Sequence, residues 1–470
     1  MSAAQPVDVV VVGGGSAGCV LAARLSEDPA RRVLLLEPGL LHTDDWPPEL
    51  LDGGLIPARH AETWQYTTAL TQNRTASVSR GRVVGGSSAV NGGYFVRATP
   101  TDIDGWGVPG CSYVELLASF VRSETDGDVG GPSHGRSGPV PVRRRTELHP
   151  LSAAFTDACS EKGFAAEPDK NAGGAAGIGP VPLNVHSGVR VNAALAYLLP
   201  ALARPNLVVR PGTAAVRVVV ERGRAIGVEL ADGEVVAAGQ VALCAGALAS
   251  PQLLLLSGIG PADQLRALGL AVHSDLPVGQ DFSDHPDVAV PYASAVRHPR
   301  APGTPGLEVV LNTPTVELRP YIASFAELVP GGGGDPHPCV GVALVAPESR
   351  GALRLRTPDP ATPPELAHHY LQTARDRAAL RAGVRLARDL LRLPDVGGRE
   401  LDGWVATHLG TSMHTVGTCA LGTVLDERFR VHGVDGLRVV DASVIPVVPT
   451  RGPHATVIAL AEHAARRWDG

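Results

Sequence analysis

The residues best placed to do chemistry lie at the start of the chain. Val9, Val10, Val11 and Val12 form an apolar run, Gly13-Gly14-Gly15-Ser16-Ala17-Gly18 follows, and Val33-Leu34-Leu35-Leu36 closes on Glu37. This order reads as a strand, a glycine turn, a helix and a second strand ended by an acid. Gly13 permits the tight turn, Gly15 lets a pyrophosphate approach the backbone, and Gly18 lets the helix pack on the sheet. Ser16 and Ala17 open the helix, whose N-terminal N–H groups and partial positive charge suit a phosphate. Glu37, about 20 residues beyond the turn, is placed to accept from a ribose hydroxyl. A dinucleotide is the ligand implied. A second run, Gly81-Arg82-Val83-Val84-Gly85-Gly86-Ser87-Ser88-Ala89-Val90-Asn91-Gly92-Gly93, offers another set of backbone N–H groups for a phosphate or a flavin edge. Ser87 and Ser88 also fit a plain capping role, and Asn91 a helix start.

For acid–base work there are 16 histidines, and spacing alone singles out none of them. No HExxH, CxxC or DxDxDG pattern occurs, so no metal is expected. The six cysteines have neither the density nor the spacing of a disulfide scaffold and read as reduced packing residues.

The elements that must hold these residues follow from periodicity. Short strands are expected over 207–210, 215–220, 225–230 and 235–243, the last a buried strand returning to the first sheet. Helices are expected over 114–121, 151–163, 252–257 (with Pro251 at its start), 374–391 and 454–467. Further strands are expected over 309–311, 315–318, 340–345, 353–356 and 437–440. The stretch after Glu37 to residue 66 reads as loop with short helices, 127–138 as a mobile loop, and 331–334 as an exposed one.

At 470 residues, 44% hydrophobic and 19% charged with a net charge of −6, the chain reads as a cytoplasmic enzyme. It shows no stretch long and apolar enough to span a membrane, no cleavable leader, and no basic stripe for nucleic acid.

Four ordered blocks resemble the glucose-methanol-choline (GMC) oxidoreductases nearly end to end: GGGSAG with Glu37; GRVVGGSSAVNGG; GALASPQLLLLSGIG from Gly246; and MHTVGTC, VVDASVIP and GPHATVIALAE around His414, Asp441 and His454. Asp104 with Trp106, His134-Gly135 before Ser137-Gly138-Pro139, and Asp284-His285-Pro286 are secondary matches. The resemblance implies α/β plus α+β architecture: a Rossmann-like FAD-binding domain from discontinuous segments (1–105, 206–286, 405–470) and a substrate domain on an antiparallel sheet (106–205, 287–404). It implies that Gly13, Gly15, Ser16, Ala17, Gly18 and Glu37 hold the ADP half of FAD. Arg82, Gly85, Gly86, Ser87, Asn91 and Gly92 would line the pyrophosphate and flavin, Val216 would lie near adenine, and Asp441 with Ala442 against the ribityl and phosphate part.

Relatives with covalent flavin carry histidine where Val90 stands here, so noncovalent FAD is expected. The resemblance makes His414 the base that takes the hydroxyl proton of an alcohol and His454 its partner on the substrate oxygen, with flavin N5 as hydride acceptor. His285 would be structural. The GGYFVRATP continuation resembles actinobacterial members associated with mycofactocin, which implies reduced mycofactocin as a donor and a respiratory acceptor. A small alcohol such as choline or a sugar with oxygen as acceptor is the alternative, and a non-redox hydroxynitrile-lyase-like member is another. The chain departs from the family in its short length, in Asp281 for the usual Asn, in Cys111 for a common Trp, and in Glu37-Pro38-Gly39 for the usual acid block.

Overall fold

The structure is a computed structural model that describes residues 7–173, 176–293, 300–333, 335–394 and 397–469. Its first sheet has seven strands, in the order Leu207–Arg210, Val33–Leu36, Val7–Val12, Val235–Leu243, Arg224–Leu230 and Ala215–Glu221, with Leu437–Val439 also paired to Val235–Leu243. Val7–Val12 is parallel to both its neighbours, while the hairpins over 215–243 are antiparallel. Strands buried on both faces read as continuous apolar runs, and this is why Val9 to Val12 and Leu34 to Leu36 could be recognised. The helix Ser16–Leu25 packs beside them. A Cβ on Gly18 would come within 1.8 Å of the Gly13 carbonyl oxygen, so only glycine allows that approach.

The second sheet is antiparallel, with six strands in the order Gly410–Thr411, Pro286–Pro291, Cys339–Leu344, Val316–Pro320, Val309–Asn312 and Gly177–Pro180. Its two faces differ. Val316 and Leu318 point into an apolar core with Val288, Val340, Val342, Leu380 and Val384, against the helix Ala374–Leu390. A Cβ on Gly383 of that helix would stand 2.8 Å from the methyls of Val316 and Val342. Alternation then sends Glu317 and Arg319 to the opposite face. A third sheet joins Thr63–Thr71 and Arg74–Gly81 to Ala352–Arg354 and Glu365–Ala367, so segments expected in different domains share it.

Three expectations are corrected. Residues 63–66, expected as loop, open a strand hairpin that runs over 63–81; its faces alternate Thr, Gln and Ser with few apolar positions, which hid it. The helix after Gly246 starts earlier than expected, spans Gly246–Leu256 and carries Pro251 inside it. Proline has no N–H for the carbonyl four residues back, and the Thr418 hydroxyl donates to that Ala247 oxygen at 2.8 Å instead. The 127–138 segment is pinned and not free: His134 is 5% exposed and its ring nitrogens lie 3.2 Å from Asp126 and 2.9 Å from Asp169. Of the 331–334 tract, Gly331 and Gly333 are exposed and residue 334 lies outside the described residues.

Asp281 adopts φ +54°, a left-handed conformation that Asn and Asp tolerate best, so the exchange of Asn for Asp there has a backbone reason. All six cysteines are free and buried. Among the described residues no helix is long and apolar enough to cross a membrane.

Candidate active site

The two glycine turns meet. Gly85 N–H donates to the Gly14 carbonyl at 2.7 Å, and a Cβ on Gly86, at φ +54°, would lie 2.5 Å from Gly15 Cα. Gly13 and Gly85 also have positive φ, +101° and +105°. The helix that starts at Ser16 has no side-chain cap and no acid in its first turn, so its N-terminal N–H groups remain for an anion. Glu37 is buried beneath: Oε2 accepts from Gly14 N–H and Oε1 from Gly39 N–H, both at 2.8 Å. Burial pushes its carboxyl up to about 7 despite those donors. This uncapped, side-chain-free cradle, with an acid one strand away, fits an ADP moiety.

The other expected cofactor positions divide. Ser87 is exposed and accepts from Gly81 N–H at 3.2 Å. Arg82 is also exposed, stacked on Trp64 at 4.7 Å. Asn91 and Gly92 are half-buried beside the second turn. Val216 lies on the outermost strand of the first sheet, three residues after Thr213, whose N–H donates to the Glu37 carbonyl at 2.9 Å. The Asp441 carboxylate turns inward: it takes Gly246 N–H at 2.8 Å, the Ser250 hydroxyl at 2.5 Å and the Ser443 N–H at 2.8 Å. It ties the 441–443 turn to the helix start.

His454 reaches the second turn, and His414 lies beside Gly452, two residues before His454. Asn91 Nδ2 lies 3.4 Å from His454 Nδ1, and a Cβ on Gly452 would lie 3.5 Å from His414 Cε1 and 3.1 Å from the Tyr94 ring. His414 is held from two sides. Its backbone N–H donates to Asp284 Oδ1 at 2.8 Å, and its Nδ1 pairs with His285 Nδ1 at 3.0 Å. Met413 before it takes φ +60°, a strained conformation of the kind that collects at active sites. Burial, reinforced by His285 and Arg319, holds the His414 imidazole well below its ordinary range, so the ring is neutral. Burial likewise brings His285 and His454 down to about 4.

Hydrogen bonding assigns the tautomers. If Nδ1 of His454 accepts from Asn91, its proton sits on Nε2, which is buried and has no protein partner. That N–H is free to donate to a substrate oxygen.

Sequence reasoning gave Asp284 and His285 only a minor place, and the structure gives them a larger one. Besides the His414 and His285 N–H groups, Asp284 accepts from Thr415 at 2.7 Å, from His368 at 3.2 Å and from Thr411 at 3.3 Å. Burial would raise its carboxyl, yet His368 and Thr415 hold it well below the carboxylate range. Tyr94, Glu317, Arg319 and Arg451 were missed altogether. The only available signal was the charged pair on alternate positions of an apolar strand, V-E-L-R. Glu124, Asp126 and His134 form a cluster that no spacing motif announces, with ligand atoms within 4.8 Å of one another. Arg97 and Arg144 already occupy its carboxylates, at 2.6 and 2.9 Å, as in a buried ion-pair network.

Comparison with known proteins settles the family. The GMC oxidoreductase N-terminal model matches residues 7–287 and the C-terminal model residues 347–461. The chain belongs to the GMC oxidoreductases. Like them, it is an FAD-dependent oxidoreductase, and both histidine-bearing segments fall within the matched regions. A GMC-type oxidoreductase of Rhodococcus erythropolis is 44% identical over 99% of both chains. An oxygen-dependent choline dehydrogenase of Photobacterium profundum is 34% identical, over 97% of this chain and 92% of its own. The crystal structure of pyridoxine 4-oxidase from Mesorbium loti superposes with a TM-score of 0.91 at 33% identity, over 98% of this chain and 99% of that one.

Proposed function

We propose that this GMC oxidoreductase oxidises an alcohol to a carbonyl compound, with His414 taking the hydroxyl proton and His454 orienting the carbinol oxygen. The observation that carries this reading is the held, neutral His414. Its Nδ1 is engaged by His285 and its backbone by Asp284, and its half-buried ring borders Gly452. When the His414 Nδ1 proton points at His285, Nε2 keeps a lone pair for the substrate. A positioned base of this kind contributes roughly 10² to 10⁴-fold. FAD, when bound, supplies the hydride acceptor. His454 Nε2–H, lacking a protein partner, fixes the substrate oxygen so that its O–H faces the base. Relatives named for choline and for pyridoxine, both alcohols, support the class of donor.

The finer assignments belong to the same reading. The FAD domain comprises 1–105, 206–286 and 405–470, and the substrate domain the rest. FAD is held without a covalent link, since Val90 offers no nucleophile. Six free, buried cysteines fit a cytoplasmic location. Reduced mycofactocin with a respiratory acceptor is the donor pair that the resemblance implies, and similarity to an actinobacterial protein is its support. Anaerobic mixing of the purified holoenzyme with simple alcohols, choline, sugars and reduced mycofactocin tests the whole. Bleaching of the flavin by one class identifies the donor. Flavin that every donor leaves oxidised while dithionite still reduces it contradicts alcohol oxidation and favours a lyase.

A further inference from the structure

The charged face of the antiparallel sheet has hydrogen bonds that are unequally filled. Asp287, Ala343, Glu317 and Asn312 stand in one register row across it. Glu317 is engaged on both oxygens: Arg319 Nε at 2.6 Å, Asn312 Nδ2 at 2.8 Å and the Tyr94 hydroxyl at 2.8 Å all donate to it. Arg319 also reaches the Ser412 hydroxyl at 2.9 Å, which donates to Asp287 at 2.8 Å. Burial would raise the Glu317 carboxyl, but Arg319 and then Arg451 bring it down to about 2.

Arg451 is the exception. It is 4% exposed, yet its Nη1 reaches only the carbonyl of Thr450 at 3.1 Å and the Thr450 hydroxyl at 3.4 Å. Its Nε has no partner, and among the described residues no carboxylate pairs with it. A guanidinium carries five donors in a planar fork, and leaving a buried charged donor unmet is costly. The position is informative: Arg451 adjoins Gly452, which borders both His414 and Tyr94, and stands three residues before His454. A planar fork with open donors is the natural partner of a carboxylate, which it grips bidentately.

We propose that Arg451 selects the donor, and that the alcohol oxidised here carries a carboxylate seated on the Arg451 guanidinium with its carbinol at His414 and His454. This rests on the alcohol-oxidation reading above, but its test needs no turnover. The FAD-loaded enzyme is titrated with acetate, butyrate and benzoate, with the three matching amides, with tetramethylammonium and with inorganic phosphate, while the flavin absorbance is followed. At least one carboxylate should bind ten times or more tighter than its own amide, about 1.4 kcal/mol. Arg451→Met should bring that ratio to within about threefold, and Arg451→Lys, which keeps the charge without the fork, should retain part of it. Amides that bind as well as carboxylates, tighter binding of phosphate or tetramethylammonium, or an undiminished ratio in Arg451→Met would overturn the proposal. Should Arg451→Met not fold, the wild-type ratios and Arg451→Lys decide. Failure of every alcohol to bleach the flavin would count against alcohol oxidation and leave the carboxylate preference separately readable.

Discussion

Asp284 fixes His414 without touching the reacting atoms, so its replacement should reveal how tightly the base must be held. The carboxylate receives two backbone N–H groups on Oδ1, from His285 at 2.7 Å and His414 at 2.8 Å, and Thr415, His368 and Thr411 on Oδ2. Asn can keep its oxygen toward the two N–H groups, which cannot reverse, and turn its NH₂ toward Thr415 and His368, which can rotate or change tautomer. Asp284→Asn therefore keeps the position of His414 and loses charge, a destabilisation of about 2 kcal/mol when charge-assisted bonds become neutral ones. Asp284→Ala leaves both N–H groups buried and unmatched at about 1–3 kcal/mol each, and with the lost side-chain bonds it should destabilise by roughly 5 kcal/mol. Urea midpoints followed by near-UV circular dichroism should fall in the order wild type, Asn, Ala. The limiting rate of anaerobic flavin reduction should fall modestly in Asn and about 10²-fold in Ala, as expected for a displaced base. An Ala variant as stable and as fast as wild type, or an Asn variant worse than Ala, would refute this reasoning.

Glu37→Ala removes the acceptor for Gly14 and Gly39 N–H and the acid proposed to meet the ribose, so FAD should be lost on gel filtration at concentrations where wild type retains it. Acid precipitation should release all flavin into the supernatant, because Val90 cannot form a covalent link; flavin retained in the pellet would contradict this. His285 and His454, brought down to about 4 by burial, refuse protons that the unfolded chain accepts at about 6.5. Stability should therefore fall as pH drops from about 6.5 to about 4. His414, held well below its ordinary range, adds to the loss, while Asp287 and Glu37, pushed up by burial to about 6 and about 7, oppose part of it; the urea midpoint should fall across this window.

Much of this organisation was legible in the sequence because local chemistry dictates it. The first strand–turn–helix, the 207–243 meander and the helices Ala374–Leu390 and His454–Arg466 follow from apolar runs and helical spacing. The Thr63–Thr71 hairpin was not legible, since its side chains are mostly polar on both faces, nor was the Gly246–Leu256 helix running through Pro251, since the compensating Thr418 lies 171 residues away. The same distance effect hid the floor of the site. Tyr94, Glu317 and Arg451 come from three remote segments, and a V-E-L-R strand looks half-exposed until the helix over 374–390 covers one face and the other closes on Tyr94. His414 and His454 were singled out through the family blocks, whereas what holds them, Asp284 and His285 behind the one and Asn91 behind the other, is visible only in the structure.

The most direct test of the central claim is stopped-flow anaerobic reduction of the flavin by a bleaching alcohol, in wild type and His414→Ala with equal FAD content. The variant should retain FAD and lose about 10² to 10⁴-fold in reduction rate near neutral pH. An undiminished rate would remove His414 from the role of base.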